Sequence, residues 1–387
     1  MERDELADWL RLTETPGLGP VSVRRLLAAF GLPPAVFDAT DAALGAVIGP
    51  AQVRALRAPP LGHAALVEAT WTWLQGAGDG GPARRFAPLG DPAYPPALLA
   101  MADPPVALYL MGNRLPPATA IAIVGTRHPT PQGAQNAHAF ARHFATEGLA
   151  VVSGLALGID AAAHEGALEG AAAAGGGTGP ATIAVVGTGL DRVYPRRHLA
   201  LARRIAAEGL LVSEYPIGTP PLAANFPKRN RLIAGLSLGT LVVEAAQPSG
   251  SLITAQCAVE QGKEVFAIPG SIHNPQSRGC HALIRQGAKL VESAQDVREE
   301  LRLPAATISI ADGAGGTCAG GPKPSQIAAD GDDPLLDALG WDVVGLDALV
   351  ARTGIPTAEL QVRLLELELD DRVVRVAGGL FQRVARA

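Results

Sequence analysis

Between residues 106 and 297, short apolar runs alternate with longer stretches of helical periodicity. No other feature restricts the fold as much. The runs at 106–110, 120–124, 150–153, 182–186, 210–213, 240–243 and 264–268 read as strands. The stretches at 133–147, 158–174, 196–208 and 251–261 read as helices between them. Strands regularly separated by helices pair in parallel, because a parallel connection must cross over the sheet. The expectation is an α/β, Rossmann-like, doubly wound and mostly parallel sheet over residues 91–302.

The flanks follow other periods. Residues 1–76 read as short helices, with apolar residues at helical spacing in 4–12 and 22–30. The turn between those two, Thr15-Pro16-Gly17-Leu18-Gly19-Pro20, suits a helix-hairpin-helix DNA motif or a plain connector, so a SAM or helix-hairpin-helix-like domain is expected. Residues 77–90 and 303–334 are rich in Gly, Ala, Pro and Asp and read as linkers. Residues 335–387 carry two amphipathic helical patterns, 346–352 and 357–369. A hairpin follows, with strands at 373–376 and 380–383 around Gly378-Gly379. Helix, helix, hairpin is the order of a C-terminal winged helix.

At 387 residues the chain exceeds a single core, and no apolar run reaches the length of a bilayer span. The start, Met-Glu-Arg-Asp-Glu-Leu, is charged, unlike a secretory signal. Cys257, Cys280 and Cys318 are scattered without a CxxC pair, as suits reduced thiols in a cytoplasm. Net charge is −5, so any nucleic-acid site must be a local concentration of positive charge. The winged-helix segment has eight acidic residues against six arginines, which favours protein contact or regulation at least as much as DNA binding.

The expected strands end in small-residue turns: Gly125-Thr126-Arg127, 153–158, Gly187-Thr188-Gly189 and Ser249-Gly250-Ser251. Ligands of such sheets lie beyond the carboxyl ends of the strands, where helix N-termini present N–H groups to anions. Arg127, Arg192, Arg196, Arg197, Lys228, Arg229 and Arg231 lie close by in sequence. The densest stretch is Asn225-Phe226-Pro227-Lys228-Arg229-Asn230-Arg231. Pro227 places Asn225 and Phe226 in extended chain, with the cations in the first turn of the helix that follows. Cations are the wrong sign for a helix N-terminus, so an external anion is expected to complete the site.

Asp160 and His164, at i and i+4, lack a third metal ligand at any familiar spacing, so a hydrogen bond anchoring the 153–160 loop is expected. Glu244, after a strand, suits a general base or a backbone-orienting group. No Walker loop, complete dinucleotide fingerprint, activated Ser–His–Asp set or metal cluster is legible. No catalytic residue, cofactor or metal is therefore expected.

The segments 123–127, 152–164, 225–237 and 250–255, extended by 265–270 and 283–288, strongly resemble the DprA/Smf family of bacterial DNA-processing proteins. The resemblance covers about residues 91–297. It implies a Rossmann-like core that binds single-stranded DNA, delivers it to the RecA recombinase during natural transformation, and tends to form a homodimer. It also implies a DNA pocket built from Gly125, Thr126 and Arg127 and from the loop Asn225 to Asn230. On that reading Lys228, Arg229, Arg231 and Arg127 neutralise phosphates, and Asn225 or Asn230 bonds backbone or base edges. Phe226 stacks on a base or plugs the core beside Pro227, and Gly250 and Ser251 are expected to join the site. His281 departs from the family pattern, which usually has Asn there, and the Ala/Gly run 172–180 reads as a local lengthening. Related folds include nucleoside-monophosphate phosphoribohydrolases, but residues 247–251 lack their Pro-Gly-Gly-x-Gly-Thr loop. That enzyme class and a nucleotide-sensing module are the alternatives.

Overall fold

The structure is a computed structural model and describes residues 1–76, 80–117, 119–176, 179–303, 333–341, 343–376 and 378–384. Cys318 and most of the expected 303–334 linker lie outside the described residues.

Six helices come first: α1 (Arg3–Glu14), α2 (Pro20–Phe30), α3 (Pro33–Asp38), α4 (Asp41–Gly45), α5 (Pro50–Leu56) and α6 (His63–Gln75). Three of them, α2, α3 and α5, open on proline, which suits the first turn because its N–H groups lack intrahelical acceptors. The chain then enters β1 (Arg84–Pro88), β2 (Ala107–Met111), β3 (Ala120–Val124), α7 (Pro131–Thr146), β4 (Ala150–Ser153), α8 (Ile159–Ala173), β5 (Thr182–Val185), α9 (Leu199–Glu208) and β6 (Leu210–Ser213). There follow α10 (Asn225–Gly235), β7 (Gly239–Val242), α11 (Gly250–Glu260), β8 (Glu264–Ala267), α12 (Arg278–Arg285), β9 (Lys289–Leu290) and α13 (Ala294–Glu300). The C-terminal module is α14 (Pro334–Leu339), β10 (Val344–Gly345), α15 (Leu346–Thr353), α16 (Thr357–Leu369), β11 (Val373–Val376) and β12 (Leu380–Arg383).

One sheet runs in the order β1-β2-β6-β5-β4-β3-β7-β8-β9. Every pairing from β6 to β9 is parallel, while β1 and β2 add antiparallel pairings at one edge. Chain order runs outward from β3 through β4 and β5 on one side and from β7 through β8 on the other. The gap between the carboxyl ends of β3 and β7 is thus the switch point at which a doubly wound sheet holds a ligand.

Both faces of the sheet are covered. Ile121, Ile123, Val151 and Leu241 pack with Phe144 of α7, Ala163 of α8 and Val297 of α13. On the opposite face Ala122, Val124 and Val152 pack with Leu232 of α10, Ala255 of α11 and Cys280 of α12. Helices α7 and α8 lie unusually close, because Gly166 and Gly170 of α8 sit against the α7 backbone. A Cβ on Gly166 would fall 2.2 Å from the His138 carbonyl oxygen, and one on Gly170 would fall 2.2 Å from that of Arg142.

Two corrections concern the chain outside the sheet centre. Residues 77–90, expected as a linker, contain β1, paired with β2 from Arg84↔Met111 to Pro88↔Ala107. An edge strand tolerates the closing Pro88, and buried Phe86 and Ala87 supply its apolar content. The N-terminal helices share one core with the sheet edge, in which Leu6, Trp9 and Trp73 pack with Phe86, Tyr109 and Ile205. The C-terminal module has its own core, with Leu335, Leu339, Leu349, Leu360, Leu364 and Phe381 inside, and its three-stranded order β10-β12-β11 matches a winged helix.

Candidate nucleic-acid interface

A cleft of about 560 Å³ opens at the switch point. Its walls are Gly125-Thr126-Arg127 after β3, Ala156 and Asp160 at the start of α8, Phe226, Arg229 and Asn230 of α10, and Ser249-Gly250-Ser251 at the start of α11. These are three of the four turns and most of the loop that the sequence singled out. They come together because parallel strands send all their βα turns to one edge.

Thr126 is the fixed point of the first turn. Its N–H donates to the Glu244 carbonyl (2.7 Å), its carbonyl accepts from Ile159 N–H (3.2 Å), and its Oγ1 accepts from His128 N–H (3.2 Å). Held on both sides, Thr126 is buried while Arg127 next to it stands exposed on the cleft rim. Glu244 serves the same architecture. Its carboxylate accepts from Thr130 N–H (2.9 Å) and Thr130 Oγ1 (2.6 Å), and that hydroxyl in turn caps α7 by accepting from Gly133 N–H (3.0 Å). Of the two roles open to Glu244, the geometry displays backbone orientation.

Helix α10 begins at Asn225, two residues before Pro227, where extended chain was expected. A proline in the first turn removes only an N–H that would have no intrahelical partner, so the helix forms despite the restriction on the preceding residue. The four consecutive side chains from Lys228 to Arg231 therefore point about 100° apart and meet four different environments.

Arg229 is turned inward and only 5% exposed. Its Nη1 donates to the Val185 carbonyl (2.8 Å), and the guanidinium fills the space over Gly154, where a Cβ would fall 1.8 Å from Nη1. Burial pulls its pKa down to about 10, against the opposing charge of Asp160. Burial likewise pushes the Asp160 carboxyl up, with the Arg229 charge and N–H bonds from Gly154 (3.1 Å) and Ala156 (3.2 Å) acting the other way. Asp160 thus ties down the 154–158 turn as anticipated. His164 belongs elsewhere: its Nδ1 meets Thr182 Oγ1 (2.7 Å), and burial drives its pKa down to about 3.

Arg231 leaves the cleft altogether. It pairs with the Glu214 carboxylate, lies 3.5 Å from an Asp103 carboxylate oxygen, and donates to the Asp103 carbonyl (2.8 Å). Its charge is already neutralised, which corrects the expectation that it meets a phosphate. Arg229 is corrected in the same sense, from a surface cation to a buried one. Asn225 is 8% exposed and donates to the Gly187 carbonyl (3.1 Å), while its own carbonyl accepts from the Tyr215 hydroxyl (3.1 Å), so it positions the loop. Asn230 donates to the Gly250 carbonyl (3.2 Å), pinning α10 to the start of α11. Lys228 is exposed on the outer side of that turn, beside Glu214 and Tyr215.

Phe226 is half-buried and lines the cleft, with its ring 5.5 Å from that of Tyr194 and tilted 41° to it. Tyr194, 46% exposed, is the member of the site that the sequence reading passed over. An aromatic within the cation cluster Arg192 to Arg197 was its available signal. Arg196 and Arg197 are exposed and do not line the cleft, and Arg192 pairs with Asp191 at 3.1 Å. Among the described residues, no group of three His, Cys, Asp or Glu side chains could hold a metal ion, and no helix is long and apolar enough to cross a membrane.

Fold and site together define a doubly wound α/β protein whose switch-point cleft combines an exposed arginine, an aromatic pair and a helix N-terminus, with helical and winged-helix modules attached. Known proteins share this plan. Residues 85–302 match the family described as DNA recombination-mediator protein A, and residues 321–379 match the DprA winged helix domain. The chain is 40% identical to protein Smf of Escherichia coli K12 over 329 residues, 83% of this chain and 82% of that protein. It is 47% identical to the DNA processing protein DprA of Streptococcus pneumoniae over 211 residues, 54% of this chain and 72% of that one. The X-ray structure of DprA from Streptococcus pneumoniae matches with a TM-score of 0.62 and 35% identity, over 78% of this chain and 98% of that one. The chain belongs to the DNA recombination-mediator protein A family, the DprA/Smf proteins.

Proposed function

We propose that this protein binds single-stranded DNA in the switch-point cleft and acts as a recombination mediator. The observation that carries the reading is the pairing, in one cleft, of the exposed Arg127 with the half-buried Phe226 ring. A single strand offers phosphates and unstacked bases together, and this cleft presents a partner for each. Arg127 meets phosphate, the N–H at Gly250 receives a second phosphate oxygen beside Ser251, whose own N–H donates to the capping Ser249 hydroxyl (3.4 Å), and Phe226 with Tyr194 stacks a base. Thr126, Asn225, Asn230 and the buried Arg229 hold these groups in place. Lys228 extends the phosphate track along the outer side of α10. Delivery of the strand to the RecA recombinase, homodimer formation and a cytoplasmic setting complete the proposal, supported by family membership.

The test compares gel shifts of single-stranded and duplex DNA of equal length. Arg127→Ala and Lys228→Ala should each weaken binding to all single-stranded sequences and lower the salt slope by about 0.7. Unchanged affinity and slope for either variant would remove that residue from the site, and equal binding of duplex would overturn the reading.

A further inference from the structure

Helix α16 is apolar on two opposite faces. Leu360, Leu364 and Leu367 are buried in the core of the winged-helix module. On the reverse side Ala358, Val362, Leu365 and Leu369 follow one another at spacings of four, three and four residues, the repeat that forms one continuous seam along a helix. Val362, Leu365 and Leu369 are 58%, 55% and 78% exposed. The module's cleft against the sheet core is lined from the module by residues between 341 and 352 and by Leu380 and Gln382, so α16 contributes nothing to it. Among the described residues nothing covers the seam, and an exposed apolar stripe of this kind marks a contact surface.

The charges beside the seam select what covers it. Glu359 and Glu366 flank one side, with the exposed Arg363 next to them but further from the seam. Gln361 and Glu368 flank the other, and Asp370 with Asp371 follows at the C-terminal end, where the helix dipole is also negative, so the surround is net acidic. DNA is a poor fit: α16 is the last helix before the wing, yet its outward face offers methyl groups bordered by three glutamates and a single arginine, where phosphates need cations. A second copy of α16 fits no better, because pairing two such seams sets glutamate against glutamate along both edges.

We propose that the outer face of α16 docks a basic amphipathic helix of a partner protein. The apolar side of that helix lies on Val362, Leu365 and Leu369, and its lysines or arginines meet Glu359, Glu366 and Glu368. The winged helix is then a protein-recruiting module on a DNA-binding chain, and this role is independent of the cleft.

Calorimetric titration of the full chain with three synthetic helical peptides tests this. One has a leucine seam flanked by lysines, one has the same seam flanked by glutamates, and one is the basic peptide permuted so that its seam is lost. The basic seam peptide should bind roughly tenfold or more tighter than either control and weaken as salt rises. The double variant Val362→Ser, Leu365→Ser should lose roughly tenfold or more in affinity, whereas Gln361→Ser, which leaves the seam intact, should keep its binding. Far-UV circular dichroism of each variant confirms that the module remains folded. Equal binding of the permuted peptide, preference for the acidic one, or no binding at all would overturn the proposal. So would a wild-type self-association, or a duplex-DNA affinity, that the double variant abolishes.

Discussion

Replacing Arg229 by Met keeps most of the side-chain volume but removes the cation that sits with Asp160 beneath the cleft. In the wild type, Asp160 is 7% exposed, and its charge is offset by two backbone N–H groups and by Arg229. Taking a nearby cation away from a buried carboxylate costs at most about 3–5 kcal/mol, the range for a broken buried ion pair, because the carboxylate loses compensating charge. Losing the donor to the Val185 carbonyl is part of that loss, and alone accounts for about 1–3 kcal/mol. The two parts separate with pH. Burial already raises the Asp160 pKa above its ordinary 3.8, and without Arg229 it rises further. For an acid whose folded pKa lies above its unfolded one, the ionised form destabilises the fold fully above the folded pKa. That penalty fades as pH falls through the same value. Arg229→Met should therefore cost up to about 3–5 kcal/mol at pH 8 and less at pH 5. Urea unfolding followed by circular dichroism at the two pH values measures both. Adding Asp160→Asn should cancel the pH dependence. A loss that is the same at both pH values, or below about 1 kcal/mol at pH 8, would refute the idea that Arg229 offsets a buried Asp160 charge.

Phe226→Ala should cost about 1–3 kcal/mol in single-stranded DNA affinity with little dependence on base identity, measured by fluorescence anisotropy on homopolymers. Arg231→Ala should leave that affinity unchanged but destabilise the fold by about 3–5 kcal/mol, since it strands Glu214, whose carboxyl burial already pushes up. Chemical unfolding beside a binding titration distinguishes the two effects. Gly166→Val should force α7 and α8 apart and lower stability by about 1–3 kcal/mol or more, read as a fall in the urea midpoint.

Much of the architecture was legible because it rests on local period and turn chemistry. The parallel strands β3 to β8 fall within a residue of their sequence positions, and the 357–369 helix and both strands of the wing were bounded correctly, whereas the two-residue β9 was not expected. The edge strand β1 was not legible, since Arg84-Arg85-Phe86-Ala87-Pro88 carries little apolar content and borrows its stability from β2 and from the N-terminal helices. Extended chain before Pro227 failed for a related reason. The rule for residues preceding proline describes the backbone alone, and here it is outweighed by the burial of Asn225 and its bond to Gly187.

By itself the sequence determined the class of fold, the edge of the sheet that carries a site, and the segments that build it. Apolar periodicity and glycine turns are properties of neighbouring residues, and each was complete within its own stretch of chain. Only the tertiary structure decided how the cations from Lys228 to Arg231 divide. One is exposed on the outer side of the helix, one is buried over Gly154 near Asp160, and one is spent on Glu214 and Asp103. The acids that claim them lie 17 to 128 positions away in sequence, so no local pattern records the pairing. A charge is free for a ligand only when the fold has not already given it a partner.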